Sequence, residues 1–135
     1  MKFNIEQRLI LYAVSTLEIV DQLPKNKGAQ HLGSQLVRSG TAPALMYGEA
    51  IAGESRKDFI HKMKLGLKEL RESFNCLKII SLKKYLEGKP SLDAVLREND
   101  ELICIFMKSI QTAKRNLELN QTTRQKENKE GGEID

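Results

Sequence analysis

Leu9, Ala13, Leu17, Val20 and Leu23 recur at helical spacing near the start of the chain, and Ile10, Leu11 and Val14 widen the same apolar face. This pattern predicts a first helix from Ile5 to Leu23. Asn4 can cap it, with Gln7 three residues on to complete a capping box, and Pro24 stops it. Pro24-Lys25-Asn26-Lys27-Gly28 has the chemistry of a turn.

The clearest periodicity comes later. After Ser55, a cap with Asp58 three residues on, Ile60, Met63, Leu67, Leu70, Phe74 and Leu77 alternate spacings of three and four. The third helix is therefore expected to run to Leu86 and to end at Gly88-Lys89-Pro90. A fourth helix capped by Ser91 carries Leu96, Ile103, Phe106, Ile110, Ala113 and Leu117 on one seam. Asn99 occupies the seam position between Leu96 and Ile103; it either sets register or marks a late helix start. From Asn120 the chain has a single aliphatic residue and mixed charge, so residues 120–135 are expected to form a disordered tail beyond a bundle of residues 1–119.

Residues 28–53 are harder. Helix connections in bundles usually span about 2–8 residues, so a loop of this length is disfavoured. Leu32, Leu36, Pro43, Met46 or Tyr47, and Ala50 keep a helical beat through it. Gly33, Ser34, Ser39, Gly40, Ala42 and Ala44 are small enough for close backbone approach. A second helix is expected, bent near Ser39–Thr41 because Pro43 lacks a donor and clashes with the preceding turn. No run of alternating residues suggests a strand. The expected class is all-α, an antiparallel up-down four-helix bundle.

Composition adds limits. The 135 residues suit one domain with an aliphatic core, since tryptophan is absent and aromatics are scarce. The first apolar stretch is interrupted by Glu6, Arg8, Glu18 and Asp21, which argues against a signal peptide or membrane span and towards a cytoplasmic address. Cys76 and Cys104 lie in apolar runs without metal-ligand spacing and read as buried thiols.

Catalytic chemistry finds little support. His31 and His61 are the only histidines, and neither completes a paired Glu-x-x-His metal site. The glycines around Pro43 lack the Gly-Lys-Ser/Thr ending of a phosphate loop. No cofactor, metal site or enzymatic activity is expected. The charge pattern is more informative. The chain carries net +4, and Arg56 to Lys89 alone holds ten basic residues against four acidic ones. On a helical wheel, Lys57, Lys64, Lys68, Arg71 and Lys78 fall together on one side, beside the core seam. Glu54, Asp58, Glu69 and Glu72 form a separate acidic strip near Leu65, Cys76 and Ile79. Ordinary charge balance through pairs such as Lys68–Glu72 accounts for part of this. The sharper reading gives one stripe to another subunit and the other to an anionic partner, RNA or DNA, held through phosphates because stacking aromatics are missing. The alternative is a protein–protein scaffold in which both stripes meet protein partners. Arg38 and Arg56 complete the candidate nucleic-acid contacts.

Residues 35 to 80 also resemble the 23S rRNA intervening-sequence proteins, small bacterial four-helix bundle proteins. The likeness lies in Gln35-Leu36-x-Arg38-Ser39-Gly40-Thr41, in Glu49-Ala50, and in Glu54-Ser55-Arg56-Lys57-Asp58-Phe59-Ile60-His61-Lys62. It continues through Leu67-Lys68-Glu69 and Glu72-Ser73, and residues 101 to 114 look like that family's last helix. The resemblance implies an up-down bundle assembled as a ring-like homopentamer without known enzymatic activity. Related accessory variability proteins of diversity-generating retroelements bind a reverse transcriptase and nucleic acid. The chain departs from the family pattern at Ala42-Pro43-Ala44-Leu45-Met46, where Ser-Ile-Gly-Ala-Asn is usual, so any role of that Asn is not carried over to Met46.

Overall fold

The structure, a computed structural model, describes residues 3–88 and 92–132. Four helices follow one another: α1 Ile5–Asp21, α2 Lys27–Ala52, α3 Arg56–Leu82 and α4 Asp93–Gly132. There is no strand among the described residues. The all-α four-helix bundle is the observed fold. Three of the starts follow local chemistry. Asn4 and Gln7 form the reciprocal capping box, Asn26 accepts from the Ala29 amide, and Ser55 accepts from the Asp58 amide.

α3 ends at Leu82, four residues earlier than the periodicity suggests. Lys84 adopts a left-handed conformation with φ 57°. The Lys84 amide donates to the Ser81 carbonyl and the Tyr85 amide to the Ile80 carbonyl. This is the Schellman arrangement, with lysine where glycine is usual. Leu86 nevertheless returns to the core. Lys89, Pro90 and Ser91, the expected stop and cap, lie outside the described residues.

α4 starts at Asp93, with the Leu96 amide bonded to the Leu92 carbonyl, so Asn99 is well inside the helix. A late start is thereby excluded. At the other end the helix does not stop near Leu119 but continues to Gly132, with residues 118–131 all exposed. The expected disordered tail is therefore replaced by helix over 120–132. Lengthening an existing helix avoids the nucleation cost, and Gln, Arg, Lys and Glu propagate it well.

The helices pack in sequence order. α2 meets α3 most extensively, α1 lies on α2, α4 lies on α3, and α1 meets α4 only sparsely. Leu9, Leu36, Met63, Leu70, Leu77, Ile80, Leu102 and Phe106 are fully buried at the centre. α2 stays helical through Pro43, itself buried. The small residues act as close-approach points. A Cβ on Gly40 would lie 2.3 Å from Thr16 Oγ1, and one on Gly66 would lie 2.7 Å from the Phe106 ring.

The inward face of α1 differs from the expected one. Leu9, Tyr12, Thr16 and Ile19 are buried, whereas Ile10, Leu11, Val14 and Leu17 are 38–50% exposed. α1 is apolar nearly all round, and the intrachain core uses only one side of it. The opposite side is an unpartnered apolar stripe.

Candidate nucleic-acid interface

Lys57, Lys64, Lys68, Arg71 and Lys78 are exposed along α3, and Lys57 and Arg71 border α4. The positions recur one or two turns apart, so neighbours in the stripe rise about 5–10 Å along the axis. Among the described residues none of the five forms an ion pair. Arg71 instead donates through Nη2 to Met107 Sδ on α4 at 3.6 Å. Arg56 and Lys57 line an open groove at the start of α3 together with Gln121 and Arg124 of α4.

α4 adds a cation that the sequence wheel did not connect with this stripe. The like charge of Lys114 holds the Lys64 ammonium below the usual lysine range. Sequence reading missed Lys114 because the antiparallel register between α3 and α4 is not encoded within either helix.

Arg38 stands elsewhere. It extends from α2 towards α3, donating Nη1 to Glu69 at 2.6 Å and Nη2 to Glu72 and Gln35. The Arg38 hydrogen bond holds the Glu72 carboxyl below its ordinary range. Burial has the opposite effect on Glu69 and pushes it up. Lys62 likewise pairs with Glu49 of α2 at 3.1 Å. Glu69 and Glu72 of the acidic strip thus face α2 of the same chain.

The interior holds a polar network spanning three helices. Asn99 Nδ2 donates to Tyr12 Oη at 2.7 Å and to the Leu70 carbonyl at 2.9 Å. Ser73 Oγ donates to that same carbonyl, also at 2.9 Å, and lies 2.8 Å from Tyr12 Oη. Donation by the tyrosine completes the chain of bonds. Burial pushes the Tyr12 phenol up, against the opposing effect of its bonds to Ser73 and Asn99. Asn99 Oδ1 is buried without a hydrogen-bond partner among the described residues. The network ties the bundle together and presents nothing to solvent.

The thiols are not alike. Cys76 is buried, and burial followed by the neighbouring Glu72 pushes it up. Cys104 is exposed, contrary to the expectation of two buried thiols, because the inward positions of α4 fall at Leu102 and Phe106. Among the described residues there is no group of three or more His, Cys, Asp or Glu placed to hold a metal ion, and no helix long and apolar enough to cross a membrane.

No protein-family model and no curated relative matches the chain. Among solved structures it is similar to a protein of unknown function from the S23 ribosomal protein family of Bacteroides thetaiotaomicron. The identity is 22%, the TM-score is 0.70, and the match covers 79% of this chain and 98% of the other. The protein therefore has the four-helix fold of an S23 ribosomal protein family structure, in agreement with the 23S rRNA intervening-sequence resemblance of residues 35 to 80.

Proposed function

We propose that the protein is a non-enzymatic, oligomeric binding protein of the cytoplasm that holds RNA or DNA through backbone phosphates. The observation that supports this reading is the exposed row of Lys57, Lys64, Lys68, Arg71 and Lys78, none of which forms an ion pair among the described residues. Phosphates would supply the missing counter-charge, and displaced counterions would drive binding without sequence preference. Arg56 extends the row at its start. Arg38 is occupied by Glu69 and Glu72 and contributes least.

Self-association is the second part of the proposal. Ile10, Val14 and Leu17 share one face of α1 and are 50, 45 and 38% exposed. A second copy covering this stripe would remove it from water. The resemblance read in the sequence implies a homopentamer.

Binding to a short RNA duplex, followed by fluorescence anisotropy between about 50 and 200 mM salt, tests the first part. Replacing Lys57, Lys64, Lys68 and Arg71 with Gln should weaken binding and reduce the salt slope by about three to four units. If the wild-type protein has no affinity at low salt, the nucleic-acid reading fails. Light scattering tests the second part. Five copies are expected for the wild type and a smaller assembly for Val14→Asp. An oligomer broken by the Lys→Gln set would favour a protein–protein scaffold instead.

A further inference from the structure

We infer that the groove where α4 runs past the starts of α1 and α3 takes a single nucleotide, with its base against the Phe59 ring and its phosphate at Arg56. The inference rests on the reading above only for the source of that nucleotide, a free one or an unpaired one in a strand. Arg8 near the start of α1 pairs with Glu98 and Glu101, and Ser15 shares a recess with Ala94, so α1 and α4 run antiparallel. α1 begins about one turn before Arg8, and α4 from Lys108 onward therefore passes beyond it. On that stretch a hollow of about 500 Å³ opens between α4 and the start of α3, with Phe59, Lys108, Thr112 and Asn116 in its walls. Arg56 lines this hollow and also a second one of about 460 Å³, which it shares with Lys57, Arg124 and Glu54.

The lining combines an aromatic ring with uncompensated charge. Phe59 is half-buried and packs on the core, which fixes the residue while the groove still reaches it. Arg56, Lys57, Lys108 and Arg124 are exposed, and none forms an ion pair among the described residues. Among those residues Glu54 is the one carboxylate lining either hollow. Asp58 instead sets a carboxylate oxygen against Gly53, at the end of α2. A simple anion would leave the ring and the Asn116 amide unused, and an aliphatic ligand would leave the cations uncompensated. A nucleotide uses all of them: the base stacks on Phe59, Asn116 meets its edge, and Arg56 takes the phosphate. No run of aromatics along the chain offers a stacking platform, but one ring beside four cations suffices for one base. Hollows of about 300–1,000 Å³ are the usual size of small-molecule sites. In a strand, the next phosphate falls towards Lys57 and Arg124 in the second hollow.

NMR of the full chain tests this with AMP, ribose phosphate and a single-stranded RNA of about six nucleotides as probes. AMP should shift the Phe59 ring and Asn116 side-chain amide resonances with saturation. Ribose phosphate should bind about tenfold more weakly, because it lacks the base. Phe59→Leu should weaken AMP about tenfold and leave ribose phosphate unchanged, a split that loss of folding would not produce. Equal affinity for AMP and ribose phosphate overturns the inference, as do Phe59 resonances that neither AMP nor RNA moves. A groove that answers only to an acidic peptide such as oligoglutamate overturns it too. RNA bound more tightly than AMP, with Arg124→Gln removing the difference, keeps the site and makes a strand the source; equal affinities keep the site and make the free nucleotide the source. AMP binding without affinity for any RNA keeps the nucleotide site and removes the nucleic-acid reading. RNA-duplex binding with unmoved Phe59 resonances does the reverse.

Discussion

Asn99 Nδ2 donates to Tyr12 Oη at 2.7 Å, linking α4 to α1, the two helices that otherwise touch only sparsely. Both residues are almost wholly buried. An apolar pair would tolerate sliding by a turn, whereas this bond and its extension to Ser73 and the Leu70 carbonyl are satisfied in one register only.

Tyr12→Phe should cost about 1–2 kcal/mol at neutral pH, since it leaves Asn99 and Ser73 each short of a partner. The cost should shrink above pH 10. The phenol titrates higher in the folded chain than in the unfolded one. Its contribution is therefore complete below the unfolded value near 10 and is lost as pH rises towards the folded value, at about 1.4 kcal/mol per pH unit. Urea unfolding of both proteins across pH 9–12 measures this.

Asn99→Leu should stay within about 1 kcal/mol of the wild type. Tyr12 can still donate to Ser73, Ser73 still donates to the Leu70 carbonyl, and the partnerless Oδ1 is removed. Asn99→Asp should lose about 3 kcal/mol or more, because a buried carboxylate gains no compensating cation. Chemical denaturation of the pair separates the two effects.

Gly40→Ala should destabilise by about 1–2 kcal/mol, as overpacking against Thr16 outweighs alanine's better helix propensity. Gly48 provides the control, since a Cβ there meets nothing within 4 Å. Gly48→Ala should stabilise by about 0.5–1 kcal/mol. Opposite shifts in thermal midpoint are the expected result.

Lys84→Gly should stabilise by about 1 kcal/mol by relieving the left-handed lysine at the end of α3. The far-UV helical signal should be unchanged while the denaturation midpoint rises.

Arg38→Gln should leave the salt slope of RNA binding unchanged, because its guanidinium already serves Glu69 and Glu72. The same substitution at Arg71, which forms no ion pair among the described residues, should reduce that slope. Anisotropy titrations at several salt concentrations distinguish the two.

Residues 38–50, Arg-Ser-Gly-Thr through Glu-Ala, illustrate how far local chemistry reaches. Connection length and the helical beat of Leu36, Pro43, Met46 or Tyr47, and Ala50 made them a helix, and they lie within α2. Why Gly40 is needed became visible only with Thr16 against it. The face of α1 was less legible. Leu17 and Tyr12 both fit a helical apolar stripe, and the choice between them rests on which neighbours are present.

The four helices, the Asn4 and Ser55 caps, the α3 core seam and the basic row beside it are legible in the sequence, because spacing, capping and charge are properties of neighbours along one helix. Tertiary packing alone assigns Arg38 to Glu69 and Glu72, Asn99 to Tyr12, and Arg71 to Met107. Each of these depends on the register between helices, which is set by close packing of side chains far apart in the chain.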